Sequence, residues 1–368
     1  MAVDAEGPSA HHHLRGSPLS DRKAYLDAVR GIAVVIMVGA HVTDAWTRDA
    51  DRHDERFFIT VFVNGLAAPL FLLLAGVALT MAAESRSRKI GEAAAASSIH
   101  KRGWQVFGLA FLFRVQSQLL GWGQLVNLLK VDILNVMGLA MVGAAWIWRA
   151  ATTRRTRVVA YAAATAALAF VTPVVRDAAW PALLPDPIEW YLRPVANRTT
   201  FTLLPWAGFL TAGALAGELL DAARSETDER LLQAWLFAAG LLGIAGGYAA
   251  SLMPSIYANA QFWTSSPAFF FIRLGIVVMA IPLAWAVGLA WEPLVTLGRS
   301  SLFVYWIHVE MVYGALALPL RRLLPWEASV LAALALCAGL LALVRWKNQW
   351  VAAGPLPPAL RVLTPVLK

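Results

Sequence analysis

Apolar stretches about as long as a bilayer is thick recur from one end of this chain to the other, and they leave few folds open to it. A helix crosses the hydrocarbon core with roughly 20 consecutive apolar residues. Ten stretches meet that need, at about 25–46, 57–83, 103–121, 125–148, 157–175, 199–220, 231–252, 268–290, 295–318 and 327–345. Inside lipid every backbone polar group must find its partner within the protein, which restricts spanning structures to helices and closed barrels. The short alternating strands of a barrel are not seen, so the pattern predicts an all-α, polytopic transmembrane helical bundle of about ten spans. Composition agrees, because 15% of the residues are charged, against about a quarter in soluble domains.

Lys and Arg gather on one side of that bundle. With the N-terminus inside, 19 of the 31 fall at inner segments and span ends and 9 at outer ones. The bias predicts cytoplasmic N- and C-termini, and the chain is expected in a cytoplasmic (inner) membrane. It also accounts for the net charge of +8 through topology and anionic lipid, without nucleic acid. Residues 1–20, polar and rich in Gly, Pro and Ser, are expected to be a disordered tail rather than a signal peptide. Residues 21–350 are expected to form one transmembrane domain, and 351–368 a cytoplasmic tail. The single cysteine, Cys337, excludes an internal disulfide and reads as a small buried hydrophobe.

Ionisable residues inside spans are costly and usually face a cavity or a partner. In YLDAVRGIAVVIMVGAHVTDAW, Asp27 and Arg30 share a helical face near the inner surface. His41 lies roughly 16 Å further along the helix, with Asp44 on the same face, placed to orient the imidazole of a general base. Beyond it, His53 sits in the polar run RDADRHDERF, where Arg48, Arg52 and Arg56 repeat at the spacing of one basic helical face. The second span carries Asn64, Gly65, Pro69 and Gly76, which suits either a kink beside a cavity or close packing. Arg114 of the third span and Glu310 of the ninth reach similar depth and are expected to neutralise each other. Tyr305 and His308 share a face of the ninth span and offer a second polar edge. No P-loop, GxSxG, HExxH or CxxC occurs.

Four blocks then carry a resemblance: RKAYLDAVRGIAVVIMVGAH, NGLAAPLFLLLAGVALT, LLPWAGFLTAGALAGELL and LGRSSLFVYWIHVEMVYG. Together they resemble bacterial homologues of heparan-α-glucosaminide N-acetyltransferase. The spacing from Arg30 to His41 is shared with bacterial acyltransferases of the acyltransferase-three group, whereas LLPWAGF and SLFVYWIHVE favour the first family. The resemblance implies acetyl transfer across a membrane, from cytoplasmic acetyl-CoA as the acyl donor to an extracytoplasmic acceptor, a sugar amine or hydroxyl. It implies a catalytic histidine between the first two spans, and by position His53 matches it. The eukaryotic members carry asparagine near the place of His41, so the base is His41 or His53. Asn64 and Tyr305 are the expected oxyanion donors and Arg30 an expected contact of CoA. No metal is called for. The expected partners are acyl-CoA, a carbohydrate acceptor and the bilayer, with self-association into a homo-oligomer left open. A transporter of a sugar or lipid-linked precursor, its path lined by His41, Arg114, His308 and Glu310, is the alternative.

Overall fold

In the computed structural model of the chain, residues 23–121, 125–354 and 366 are described. The expected tail over 1–20 and most of that over 351–368 lie outside them. The described residues form the helices α1 Ala24–Trp46, α2 Glu55–Asn64, α3 Ala67–Ile90, α4 Glu92–Gly121, α5 Ile133–Ala150, α6 Arg154–Asp177 and α7 Asp186–Leu192. These continue as α8 Leu203–Ala222, α9 Glu226–Ser251, α10 Pro267–Ala286, α11 Glu292–Arg299, α12 Ser301–Tyr313 and α13 Trp326–Ala352. Among the described residues the only strand-like pairings are two isolated bridges, Thr47 with Leu324 and Val131 with Thr199. Eight helical segments are long and apolar enough to cross a membrane: α1, α2 joined to α3, α5, α6, α8, α9, α10 and α13. The chain is therefore an all-α polytopic membrane protein.

Two of the ten expected spans do not meet that standard, and each departure has a local cause. The third lies within the 30-residue α4, whose apolar run is broken by Gln105, Arg114, Gln116 and Gln118. The ninth is two helices, α11 of 8 residues and α12 of 13, so each is only roughly 12 and 20 Å long. They part at Ser300, whose φ of −104° and ψ of 21° leave the helical region. The fourth span begins later than expected, because Leu125–Leu129 is a single 3-10 turn and the helix starts at Ile133. In the second, the break falls at Gly65 and Leu66, between α2 and α3. Pro69 lies in the first turn of α3, where a missing N–H costs nothing.

Close backbone contact holds the bundle where glycines meet. A Cβ on Gly31 of α1 would lie 2.1 Å from the Leu294 carbonyl oxygen of α11, and one on Gly298 would lie 1.9 Å from that of Asp27. The α3–α8 crossing is equally tight. There a Cβ on Gly76 would approach the Leu210 oxygen to 2.0 Å, and one on Gly213 the Leu73 oxygen to 1.8 Å. Helices in lipid gain little from apolar burial against one another, so such small-residue contacts carry the association. Two apolar cores result: one within α3, α4, α5, α6, α8 and α10, the other around α1, α12 and α13.

Candidate functional site

Between the two cores lies a cavity of about 1660 Å³. At the end where α1 begins and α3 finishes, Arg30, Arg86, Lys101, Arg102 and Arg299 line it beside Ser98, Ser300 and Ser301. No carboxylate lines that end among the described residues. At the opposite end, where α6 finishes and α10 begins, its walls include Asp177, Glu189, Asn259 and Gln261, with Trp206, Trp263 and Phe269 as aromatic surfaces. Midway, His41, Asn64, Arg114, Asp132 and Tyr305 face it.

His41 stands on α1, and its ring meets a partner brought from the other end of the sequence. His308 Nε2 lies 2.8 Å from His41 Nδ1, while His308 Nδ1 lies 2.8 Å from the Val304 carbonyl oxygen one helical turn back. His308 is fully buried, and it does not itself line the cavity. Tyr313 packs edge-on to the His41 ring, their centres 5.6 Å apart. The Trp46 indole donates to the Val312 carbonyl at 3.0 Å, and the Leu324 N–H donates to the Trp46 carbonyl at 2.9 Å. The first bond locks the end of α1 against α12, which carries His308, and the second ties it to the segment before α13.

The carboxylate expected to orient His41 is elsewhere. Asp44 is exposed, accepts from the Tyr313 hydroxyl at 3.1 Å and pairs with Arg52 at 3.7 Å. Helical spacing put Asp44 and His41 on one face, but the exposed carboxylate is taken by Tyr313 and Arg52 instead. Asn64, from the last residue of α2, donates to the Thr43 hydroxyl at 3.0 Å, and that hydroxyl donates to the Gly39 carbonyl at 2.8 Å. The break after α2 thus sets an amide against α1, on the same cavity that His41 lines. Tyr305 lies on α12 between Phe113 and His308, ring centres 5.6 and 5.9 Å away.

Arg114 does not pair with Glu310. Its guanidinium is 3.0 Å from Asp132, whose carboxylate also caps α5 by accepting from the N–H groups of Leu134 and Asn135. Equal depth along two helices said nothing of which faces meet. The capping pattern D-x-x-N before an apolar run, DILN, was the signal that marked Asp132. Glu310 keeps a buried carboxylate oxygen without a hydrogen-bond partner among the described residues, and it does not line the cavity. Arg30 is tied to Asp27 at 3.4 Å, and Asp27 is also held by Arg299 at 3.0 Å.

His53 is exposed in the 3-10 turn Asp49–His53 and lies off the cavity wall. The basic face expected around it is cancelled by neighbours: Arg48 meets Asp51, Arg52 meets Asp49, and Arg56 meets Glu327 and Asp54. The Arg48 guanidinium and the Trp326 N–H hold the Asp51 carboxyl below its usual range, so this loop is pinned to the start of α13.

One residue that sequence reasoning left unassigned is Arg273 of α10. It lines the cavity, with its guanidinium carbon 4.2 Å from the centre of the Phe269 ring and 5.9 Å from that of Trp206. Among the described residues no carboxylate pairs with it. Its signal was an arginine deep in an apolar run, FFFIRLGIVV. No group of three or more metal-ligating side chains forms among the described residues.

Comparison with known families places residues 22–253 on the family model described as heparan-alpha-glucosaminide N-acetyltransferase, catalytic. No curated protein matches the chain.

Proposed function

Because the chain belongs to the heparan-alpha-glucosaminide N-acetyltransferase family and is a membrane acetyltransferase, we propose that it moves an acetyl group from acyl-CoA to a sugar amine or hydroxyl on the other side of a cytoplasmic membrane. One observation carries this reading: a single cavity runs past His41 from an end whose charged groups are all basic to an aromatic one where Asp177 and Glu189 stand among Arg176, Arg193 and Arg273. Its volume of about 1660 Å³ exceeds the roughly 300–1,000 Å³ of ordinary small-molecule sites, which suits two substrates meeting end to end. The basic end suits the phosphates of CoA, and the Lys and Arg bias of the sequence supports its facing the cytoplasm. Aromatic faces beside polar side chains at the far end suit a sugar.

In this reading the thioester reaches the middle of the cavity, where the acceptor approaches it from the opposite mouth. His41 takes the acceptor's proton as its oxygen or nitrogen attacks the carbonyl carbon. The Asn64 amide and the Tyr305 hydroxyl stand ready to donate to the developing oxyanion. The carbon–sulfur bond then breaks, and the proton passes from His41 to the thiolate, releasing CoA as its thiol. Exposure of His53 off the cavity wall favours His41 as the base.

The test is acetyl transfer by purified protein in lipid nanodiscs, using labelled acetyl-CoA with amino sugars and oligosaccharides as acceptors. Acceptor-dependent release of free CoA is expected. His41→Ala is expected to lower kcat by about 10²- to 10⁴-fold at unchanged melting temperature, whereas His53→Ala retains activity within a few fold. Full activity in His41→Ala would remove His41 as the base. Sugar counterflow into liposomes without any CoA, and no acetyl transfer, would favour the transporter instead.

A further inference from the structure

Two imidazoles meeting edge to edge have few ways to share their hydrogens, and the group at the far end of this pair leaves one. The Val304 carbonyl oxygen only accepts, so the His308 Nδ1 that lies 2.8 Å from it carries a hydrogen. A neutral His308 then has a bare Nε2. That nitrogen is 2.8 Å from His41 Nδ1, so His41 must supply the hydrogen between them. The remaining His41 nitrogen, Nε2, is left with its lone pair free. Charging the pair at rest would bury a cation without an anion, because neither ring is bonded to a carboxylate among the described residues.

The ring geometry is that of a true shared hydrogen. The centres are 4.9 Å apart and the planes 16° from parallel. This separation is close to the largest that a 2.8 Å nitrogen–nitrogen contact permits between five-membered rings. The separation and the contact together turn one nitrogen of each ring toward the other, as a shared hydrogen needs. Burial seals the arrangement on one side, since His308 has no exposed surface, while His41 opens onto the cavity.

We infer that His308 is a positioning residue that fixes His41 in the tautomer with hydrogen on Nδ1, aiming its unprotonated Nε2 at the cavity as the base. The role is the one a carboxylate plays in many base-orienter pairs, performed here by a second neutral ring anchored on a backbone oxygen. When His41 takes the acceptor's proton on Nε2, its Nδ1–H bond to His308 spreads the new charge over two rings. Return of that proton to the leaving thiolate restores both rings to their resting tautomers. The catalytic half of this inference rests on the proposed acetyl transfer, whereas the tautomer is a property of the resting protein.

The two halves have separate readouts. Nitrogen NMR of the full chain labelled with ¹⁵N-histidine, in nanodiscs at neutral pH, reports which ring nitrogen of each histidine bears hydrogen. The His41 signals are assigned by their loss in His41→Gln. Both His41 and His308 are expected to carry hydrogen on Nδ1 and none on Nε2. Hydrogen on His41 Nε2 would overturn the inference whether or not the protein transfers acetyl groups. For the catalytic half, His308→Leu is expected to lower kcat by about 100-fold, the low end of what a positioned base contributes, with the KM for acetyl-CoA unchanged. His308→Gln, whose amide oxygen reaches the place of Nε2, is expected to recover most of that loss. Equal loss in the two variants, tracking a fall in melting temperature, would reduce His308 to a packing role. Absence of acetyl transfer in the unaltered protein would instead sink the proposed function and leave the NMR result standing.

Discussion

At the scale of single residues, the charge that most needs a reason is Arg273. An ionised side chain among membrane helices is expensive, and arginine does not escape by losing its proton. Arg273 is steadied by the face of Phe269, its guanidinium carbon 4.2 Å from the ring centre, yet no carboxylate answers it among the described residues. Arg114, by contrast, is neutralised by Asp132 at 3.0 Å. A cavity-lining guanidinium without an anion is arranged for one that arrives with substrate or develops during reaction. Hydrogen bonds to charged groups contribute about 1.5–3 kcal/mol. Arg273→Gln is therefore expected to lower kcat/KM for the acceptor by roughly 10- to 100-fold. The KM for acetyl-CoA is expected to stay put, because the basic end of the cavity is lined by other residues. Steady-state kinetics with each substrate varied in turn checks this, and a rise confined to the acetyl-CoA KM would place Arg273 with the donor instead.

At the scale of helices, the crossings decide whether the cavity exists at all. Thr80 donates to the Ala214 carbonyl at 3.0 Å across the α3–α8 contact, one turn from the pair Gly76 and Gly213. Because a Cβ at Gly213 would lie 1.8 Å from a backbone oxygen, neither helix can yield without moving whole. Gly213→Ala is expected to destabilise the protein by about 1–3 kcal/mol, the cost of overpacking. Gly339 of α13 has nothing within 4 Å of its would-be Cβ. There the same change is expected to be neutral or stabilising by up to about 1 kcal/mol. Thermal unfolding of both variants in one detergent provides the comparison, and equal melting temperatures would contradict the tight crossing. Eight of the ten spans were readable from apolar runs, whereas the break at Ser300 between α11 and α12 was not, since 295–318 read as one continuous span. Contacts between helices were not readable, since periodicity gives a face and a depth but not the neighbour. His41 and Asn64 stood out as polar groups in apolar runs, whereas the pairing of His41 with His308 joins residues 267 positions apart. The Arg114 partner was misread for the same reason.

At the scale of the molecule, one cavity with two unlike ends connects the two faces of the bundle. The basic end draws residues from α1, α3, α4 and α11, and the far end from α6, α7, α8 and the segment before α10. Because α3 and α8 end together where Arg88 meets Asp221, while α6 ends beside the start of α8 where Arg176 meets Thr202 and Leu204, these two groups of residues lie at opposite faces of the bundle. If donor and acceptor enter from opposite sides, each mouth must be open to one aqueous phase only. Single cysteines test this in a background where the buried Cys337 is replaced by alanine. Ser98→Cys lies on the basic wall and Asn259→Cys on the other. With a membrane-impermeant maleimide, Ser98→Cys is expected to react in inverted vesicles and not in intact cells, and acetyl-CoA is expected to slow that reaction. Asn259→Cys is expected to show the reverse sidedness and no protection by acetyl-CoA. Labelling of both positions from the same face, or protection at Asn259→Cys alone, would mean that the basic end is not the donor's entrance. The transfer would then have to be rebuilt with both substrates on one side of the membrane.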